Sequence, residues 1–454
     1  MRQEDHALES GSDPFEDRTT FDIPFDGKSE VGRRTTMAVV AGTTGIVIFG
    51  RLLGVLRDIL TARTFGTGDS VAAFATVIAM QGVTSTVMAE ALSVVIARDS
   101  VLGDRTDPRR AVDSSIVFAI ALTIIQVVLA TPLAYWFSGG SATLEHETRV
   151  ALLLTAPSTG ATVVVGALVG WSNGRERFRL GASLTLAVTV IAVVGIAVSS
   201  VPWVAIYASW SIASCAVAGV AHAKILGRPR LSPHVIHVLA GATPTALTTL
   251  LFQSSFVIER FFGAKLGHGA SASLNYAFKV SAAPVSIVVS SVSYVLLNRL
   301  AEVAADRREF LQRLRSVALI SAAIGLAVAV LVMLFAEPFI TLLYRRGRFD
   351  QNDVRNVTTA VRGYVFGIPA ILLVFVGLRA LQSQRRDRLM TLSAFVGAVA
   401  TLCFTGFLWS RGVAWIAFGT AFGNWCFAIL LLVFAFWRRA VDDPSTESPL
   451  GEGP

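Results

Sequence analysis

Residues 50–69, GRLLGVLRDILTARTFGTGD, continue an apolar run that begins near Thr36, yet they carry Arg51, Arg57, Asp58 and Arg63. Charged side chains at mid-bilayer are costly and usually face a protein interior or a wet cavity. Arg51 and Asp58 are seven residues apart and so fall nearly on one helix face, with Gly54 between them to allow close approach by a neighbour or ligand. Arg57 points roughly 100° away from Asp58. This spacing predicts that Asp58 partly neutralises Arg51 and leaves Arg57 to another anion.

Further charges interrupt other apolar runs: Glu90, Glu259 with Arg260, Lys279, Arg362 and Arg379. Arg260, Arg362 and Arg379 lie near helix ends, where they read as snorkelling to the headgroups. Several cations against fewer anions suit a ligand bearing phosphate or diphosphate. Helix breakers sit beside these charges at Pro244, Pro284 and Pro369. They are candidate bends of the kind transporters use where they bind and rock.

The elements that must position these groups are membrane helices. Of the 454 residues 53% are apolar and 15% charged, and mean hydropathy is +0.62. Apolar runs of roughly 18 to 25 residues recur with short polar breaks, each long enough to cross the hydrocarbon core as a helix. The runs are continuous rather than alternating, which argues against a β-barrel. The fold class is therefore an all-α polytopic membrane protein. Twelve spans are predicted, near 37–62, 70–97, 112–137, 149–172, 180–200, 203–223, 235–260, 270–298, 316–343, 357–382, 389–410 and 413–437.

Residues 1–35 and 441–454 read as polar, disordered tails, the first with neither the basic start nor the apolar core of a cleavable signal. Alternate breaks such as GRERFR, KILGRPR and QRRDR are basic, whereas SVPW and SGGSATLEHE carry no Lys or Arg. Positive charge is retained inside, so both termini are expected in the cytoplasm. One outer break goes against that trend: YRRGRFDQNDVR, 344–355, carries Arg345, Arg346 and Arg348 along with Arg355, and suits an anion. The longest inner break, near 299–315, reads as an amphipathic basic connector without a phosphate loop, a metal-ligand spacing or an aspartate pair.

Cys215, Cys403 and Cys426 lie in apolar runs without paired spacing and read as packing residues. No cofactor or metal is expected. The basic balance, with a pI near 9.8, is explained by orientation and not by nucleic acid.

Several stretches carry a family resemblance. GRLLGVLRDILTARTFGTGDSVAAF, AEALSVVIAR, FVIERFFGAKLGHGASASLNYAFKVSAAPVSIVVSSVSYVLLNRLAE, LLYRRGRFDQND and GYVFGIPAILLVFVGLRALQSQRRD resemble, in order over about 36–390, signatures of the MurJ/MviN family. Those proteins are lipid II flippases of the MATE-like multidrug/oligosaccharidyl-lipid/polysaccharide exporter superfamily.

The resemblance implies two six-helix bundles, 36–230 and 231–440, around a central cavity that opens alternately to either side. Family members have fourteen spans, so twelve would omit the pair that forms part of a groove for the lipid tail. It implies a bacterial plasma membrane protein, not an enzyme, that moves a polyprenyl-diphosphate-linked peptidoglycan precursor and works beside cell-wall synthesis or division proteins.

Arg51, Arg57, Asp58 and Glu90 match family charges, and Lys279 stands where a cavity Arg is usual. With Glu259 and Arg260 they form the expected headgroup site. Ala72, Ser85, Phe278 and Ala282 replace charged residues of the family pattern and bear on the substrate. The alternatives are an exporter of another lipid-linked glycan, of exopolysaccharide or teichoic type, and a non-transporting wall-synthesis scaffold. A cation-coupled drug antiporter would want an acid-rich cavity, and a membrane-embedded glycosyltransferase would want acidic loop motifs.

Overall fold

The computed structural model describes residues 30–102, 108–175, 177–198, 203–227, 235–267, 269–302, 306–384 and 386–437. Nearly all of these residues are helical. The helices are α1 Glu30–Phe65, α2 Asp69–Gln81, α3 Val87–Leu102, α4 Pro108–Phe137, α5 Ala142–Gly174, α6 Phe178–Val198 and α7 Trp203–Ile225. They continue with α8 Val235–Leu266, α9 Ala270–Glu302, α10 Arg307–Tyr344, α11 Gln351–Val365, α12 Ile368–Ser383, α13 Asp387–Leu408 and α14 Val413–Phe436. A π-helical turn, Gly82–Thr86, joins α2 to α3, so these two form one span, Asp69–Ala97. The α11–α12 pair is bent by 44° at a short break. Counting each pair once, twelve helical segments occupy the twelve expected places. Among the described residues six are long and apolar enough to cross a membrane alone, and seven when the α11–α12 pair counts as one.

The ends of several helices run past the apolar runs. α1 begins at Glu30, inside the segment expected to be a disordered tail, while residues 1–29 and 438–454 lie outside the described residues. The expected connector near 299–315 is also corrected: α9 extends to Glu302 and α10 starts at Arg307. Asp306 explains that start, because its carboxylate accepts hydrogen bonds from the Arg308 and Glu309 amides and satisfies donors orphaned at a helix N-terminus. Ser141 caps α5 in the same way through the Leu144 amide, and Asp350 with Asp353 forms a reciprocal capping box on α11.

Where helices break, side chains take up the freed carbonyls, as hydrocarbon requires. In the π-turn the hydroxyls of Thr84 and Ser85 donate to the carbonyls of Met80 and Gln81. At the α11–α12 break the Trp425 indole donates to the Phe366 carbonyl at 2.8 Å. Pro369 sits in the first turn of α12, where its missing amide costs nothing. α9, by contrast, runs unbroken through Pro284. Pro244 lies within α8, and its side chain is outside the described residues.

α5 is the hub of the first seven helices, packed on α2, α3, α4, α6 and α7. Gly166 and Gly170 let α5 approach α3 directly: a Cβ on either would come within 2.4 Å and 2.5 Å of atoms of Ala89 and Ser93. Among the later helices α14 packs on α11, α12 and α13, and α9 on α11 and α12. α8 is the seam, touching α13 on one side and α2, α3 and α4 on the other. Cys215 and Cys403 are exposed and Cys426 is half-buried, and the Cys215 thiol donates to the Pro157 carbonyl of α5 at 3.6 Å.

Candidate functional site

The first-span charges converge with Lys279 from α9. The Lys279 Nζ donates to Asp58 Oδ1 at 2.7 Å, and the Arg57 guanidinium donates to the same oxygen from Nε at 3.2 Å and Nη2 at 3.1 Å. This corrects the helical-wheel expectation. Arg57 itself neutralises Asp58 and is not left to another anion, because a guanidinium on a long stem reaches back to its neighbour although the Cβ vectors diverge. The Arg51 side chain is outside the described residues. The Asp58 side chain is 8% exposed, whereas those of Arg57 and Lys279 keep 19% and 20%. Two cations thus share one acid and retain open faces. Among the described residues no other element approaches Gly54: a Cβ there would meet nothing within 4 Å.

A second acid lies deeper. Glu259 on α8 is fully buried, accepts a hydrogen bond from the Tyr364 hydroxyl at 2.7 Å, and accepts another from the Thr420 hydroxyl. Arg260 lies beside it with Nη1 3.8 Å from Glu259 Oε2. Arg260 is 2% exposed and within electrostatic reach of Lys279, so it does not snorkel. Its Nε and Nη1 have no hydrogen-bond partner among the described residues. Phe278, beside Lys279, fills the space between α8 and α11, its ring 4.5 Å from that of Phe256 and 6.0 Å from that of Tyr364.

The remaining expected residues are scattered. Glu90 is exposed on α3 and forms no ion pair or hydrogen bond among the described residues. Ala72 and Ser85 are buried, and the Ser85 hydroxyl is used within its own helix. Ala282 is half-buried on α9. Arg362 is exposed, and Arg379 donates to Gln382 at 2.7 Å. Arg345, Arg346 and Arg348 are exposed in the α10–α11 turn.

Two buried polar groups were passed over in the sequence. Gln81 donates to Ser158 at 2.8 Å and Gln126 to the Leu152 carbonyl at 2.8 Å, which ties α2 and α4 to α5. His222 meets Asp113 at 2.8 Å between α7 and α4. The signal was available, since polar residues inside apolar runs must find partners. Among the described residues no three His, Cys, Asp or Glu side chains gather as a metal site.

This arrangement of helices is the fold shared by the MATE-like transporters. An inward-facing MATE family multidrug resistance transporter of the MOP superfamily superposes with a TM-score of 0.73 at 12% identity, covering 85% of this chain and 93% of its own. A lipid II flippase MurJ structure in an inward closed conformation superposes with a TM-score of 0.76 at 18% identity, covering 86% and 87%. The sequence narrows the class. The family model described as lipid II flippase MurJ matches residues 109–446, and this chain belongs to that family. A probable lipid II flippase MurJ of Rhizobium meliloti (strain 1021) is 25% identical over 440 residues, 88% of this chain and 80% of the relative. Another from Synechocystis is 25% identical over 380 residues, 73% and 69%. The chain is thus a multi-pass protein of the bacterial inner membrane in a transporter family.

Proposed function

We propose that this protein moves lipid II, a polyprenyl-diphosphate-linked peptidoglycan precursor, across the bacterial inner membrane by alternating access. The observation that carries the reading is the Asp58 cluster: Arg57 and Lys279, from spans in different halves of the sequence, share one carboxylate and keep a fifth of their surface open. Asp58 limits the cost of holding two cations at membrane depth. A diphosphate brings the negative charge that one carboxylate cannot supply, and Arg57 offers it a planar fork while Lys279 offers a point charge.

Helices 36–230 and 231–440 act as the two rocking bodies, with the α8 seam and the bend at Pro369 taking up the motion. Arg51 extends the site one to two turns along α1, and Arg260 and Glu259 back it from α8. The basic breaks support an orientation with both termini in the cytoplasm, so that the headgroup enters there and leaves outside while the lipid tail stays in the bilayer. The fold does this by binding and rocking, without a catalytic step.

The test is complementation of a bacterium depleted of its own lipid II flippase. Wild type should restore growth, and Arg51→Ala, Arg57→Ala and Lys279→Ala should not at matched membrane levels. Growth that stays arrested with well-expressed wild type overturns the reading.

A further inference from the structure

Charges that the transport site does not use gather at the C-terminal end of α1, where Arg63 lies less than two turns beyond Arg57. There the turn after Phe65 is stitched to the α10–α11 turn. The Arg348 amide donates to the Arg63 carbonyl at 3.1 Å, and the Thr67 hydroxyl donates to Asp353. Gly66 and Gly347, both at φ 64°, make the contact possible: a Cβ on Gly66 would lie 2.7 Å from the Arg348 carbonyl oxygen, and one on Gly347 2.3 Å from that of Arg63. Phe349 anchors the turn from below, buried between the rings of Tyr276 and Tyr344. The result is a rigid platform that presents Arg63 from one segment and Arg345, Arg346 and Arg348 from the other.

All four guanidinium groups are exposed, and none forms an ion pair among the described residues. Two nearby acids, Asp350 and Asp353, hydrogen-bond backbone amides and form no ion pair with these guanidinium groups among the described residues. Asp350 accepts the Asp353 amide at 2.9 Å, and Asp353 accepts the Asp350 amide at 3.1 Å as well as the Thr67 hydroxyl. A solvated basic turn would gain by pairing with adjacent carboxylates, whereas here they are committed to holding the backbone. The orientation rule puts this end outside, where Lys and Arg are not needed to set topology.

We propose that Arg63, Arg345, Arg346 and Arg348 form a phosphate-binding platform at the outer face that takes the diphosphate of the polyprenyl-linked product as it leaves the membrane-spanning site. Arginine forks suit its geometry, and a mobile headgroup would be handed from Arg57 to Arg63 along the same helix. The inference rests on the transport reading for its physiological ligand.

Full-length protein in neutral phosphatidylcholine nanodiscs is titrated with farnesyl diphosphate, and bound lipid is counted by native mass spectrometry. Wild type should bind two. R345Q/R346Q/R348Q should lose one with about tenfold or more weakening, and R57Q/K279Q should lose the other. R411Q, which removes an exposed arginine stacked on Trp415 instead, should lose none. Two sites of unchanged affinity in the triple variant overturn the platform. Displacement by phosphatidylglycerol at equal mole fraction overturns the committed ligand and leaves a general anionic-lipid site. If wild type fails to complement while the outer site still binds, the transport reading falls and the phosphate site stands. If wild type complements and the triple variant still binds two, only the platform falls.

Discussion

Asp58 and Glu259 are both carboxylates at membrane depth beside an arginine, yet they are built for opposite purposes. Among the described residues Asp58 is met by two cations and no other hydrogen-bonding group, and these cations retain open surface. Glu259 is met by hydroxyls from α11 and α14 and has no open surface. The difference lies in who supplies the donors. Cations that share an acid remain hungry for further negative charge, whereas Tyr and Thr hydroxyls satisfy an acid and are themselves finished. One cluster invites a ligand and the other cross-links three helices.

The contrast can be broken in four ways. Lys279→Ala should abolish growth rescue while leaving the amount of folded protein in the membrane near wild type, since Arg57 still faces Asp58. Loss of the protein itself, seen by immunoblot of membranes, would make Asp58 a structural acid like Glu259. Glu259→Ala should do the reverse and destabilise the detergent-solubilised protein by about 3 to 5 kcal/mol, the cost of breaking a buried charged contact. An unchanged unfolding temperature would remove the distinction. Tyr364→Phe deletes one donor to Glu259 and should cost about 1.5 to 3 kcal/mol in the same assay. Gly54→Ala should leave stability unchanged, because a Cβ there meets no protein atom within 4 Å. If transport falls nonetheless in that variant, a ligand passes along that face of α1.

The apolar runs made the twelve helical segments legible, because hydrocarbon thickness imposes their length. Their polar extensions were not, since residues 307–315 and 142–148 carry charge that hydropathy reads as loop. The cap at Asp306 was visible as a residue but not as a boundary. Within the site, residue types were legible and pairings were not. Lys279 is 221 positions from Asp58, and Glu259 is 105 and 161 from Tyr364 and Thr420. No local spacing encodes such meetings. The expectation that Arg57 is left to another anion failed for a different reason: helical periodicity fixes where a Cβ points but not where a guanidinium several bonds away comes to rest.

The π-turn at Gly82–Thr86 has a consequence for anyone editing this chain. A π-turn accommodates one residue more than an α-turn, so it shifts the phase of everything after it by about 100°. A helical wheel drawn through the whole second span would therefore misplace Glu90 relative to Ala72. It also makes this the place where the span has slack. Deleting a single residue between 82 and 86 would relax the turn to ordinary α-helix and leave the two halves of the span facing as they do now. A deletion elsewhere in the span has no such spare residue to draw on.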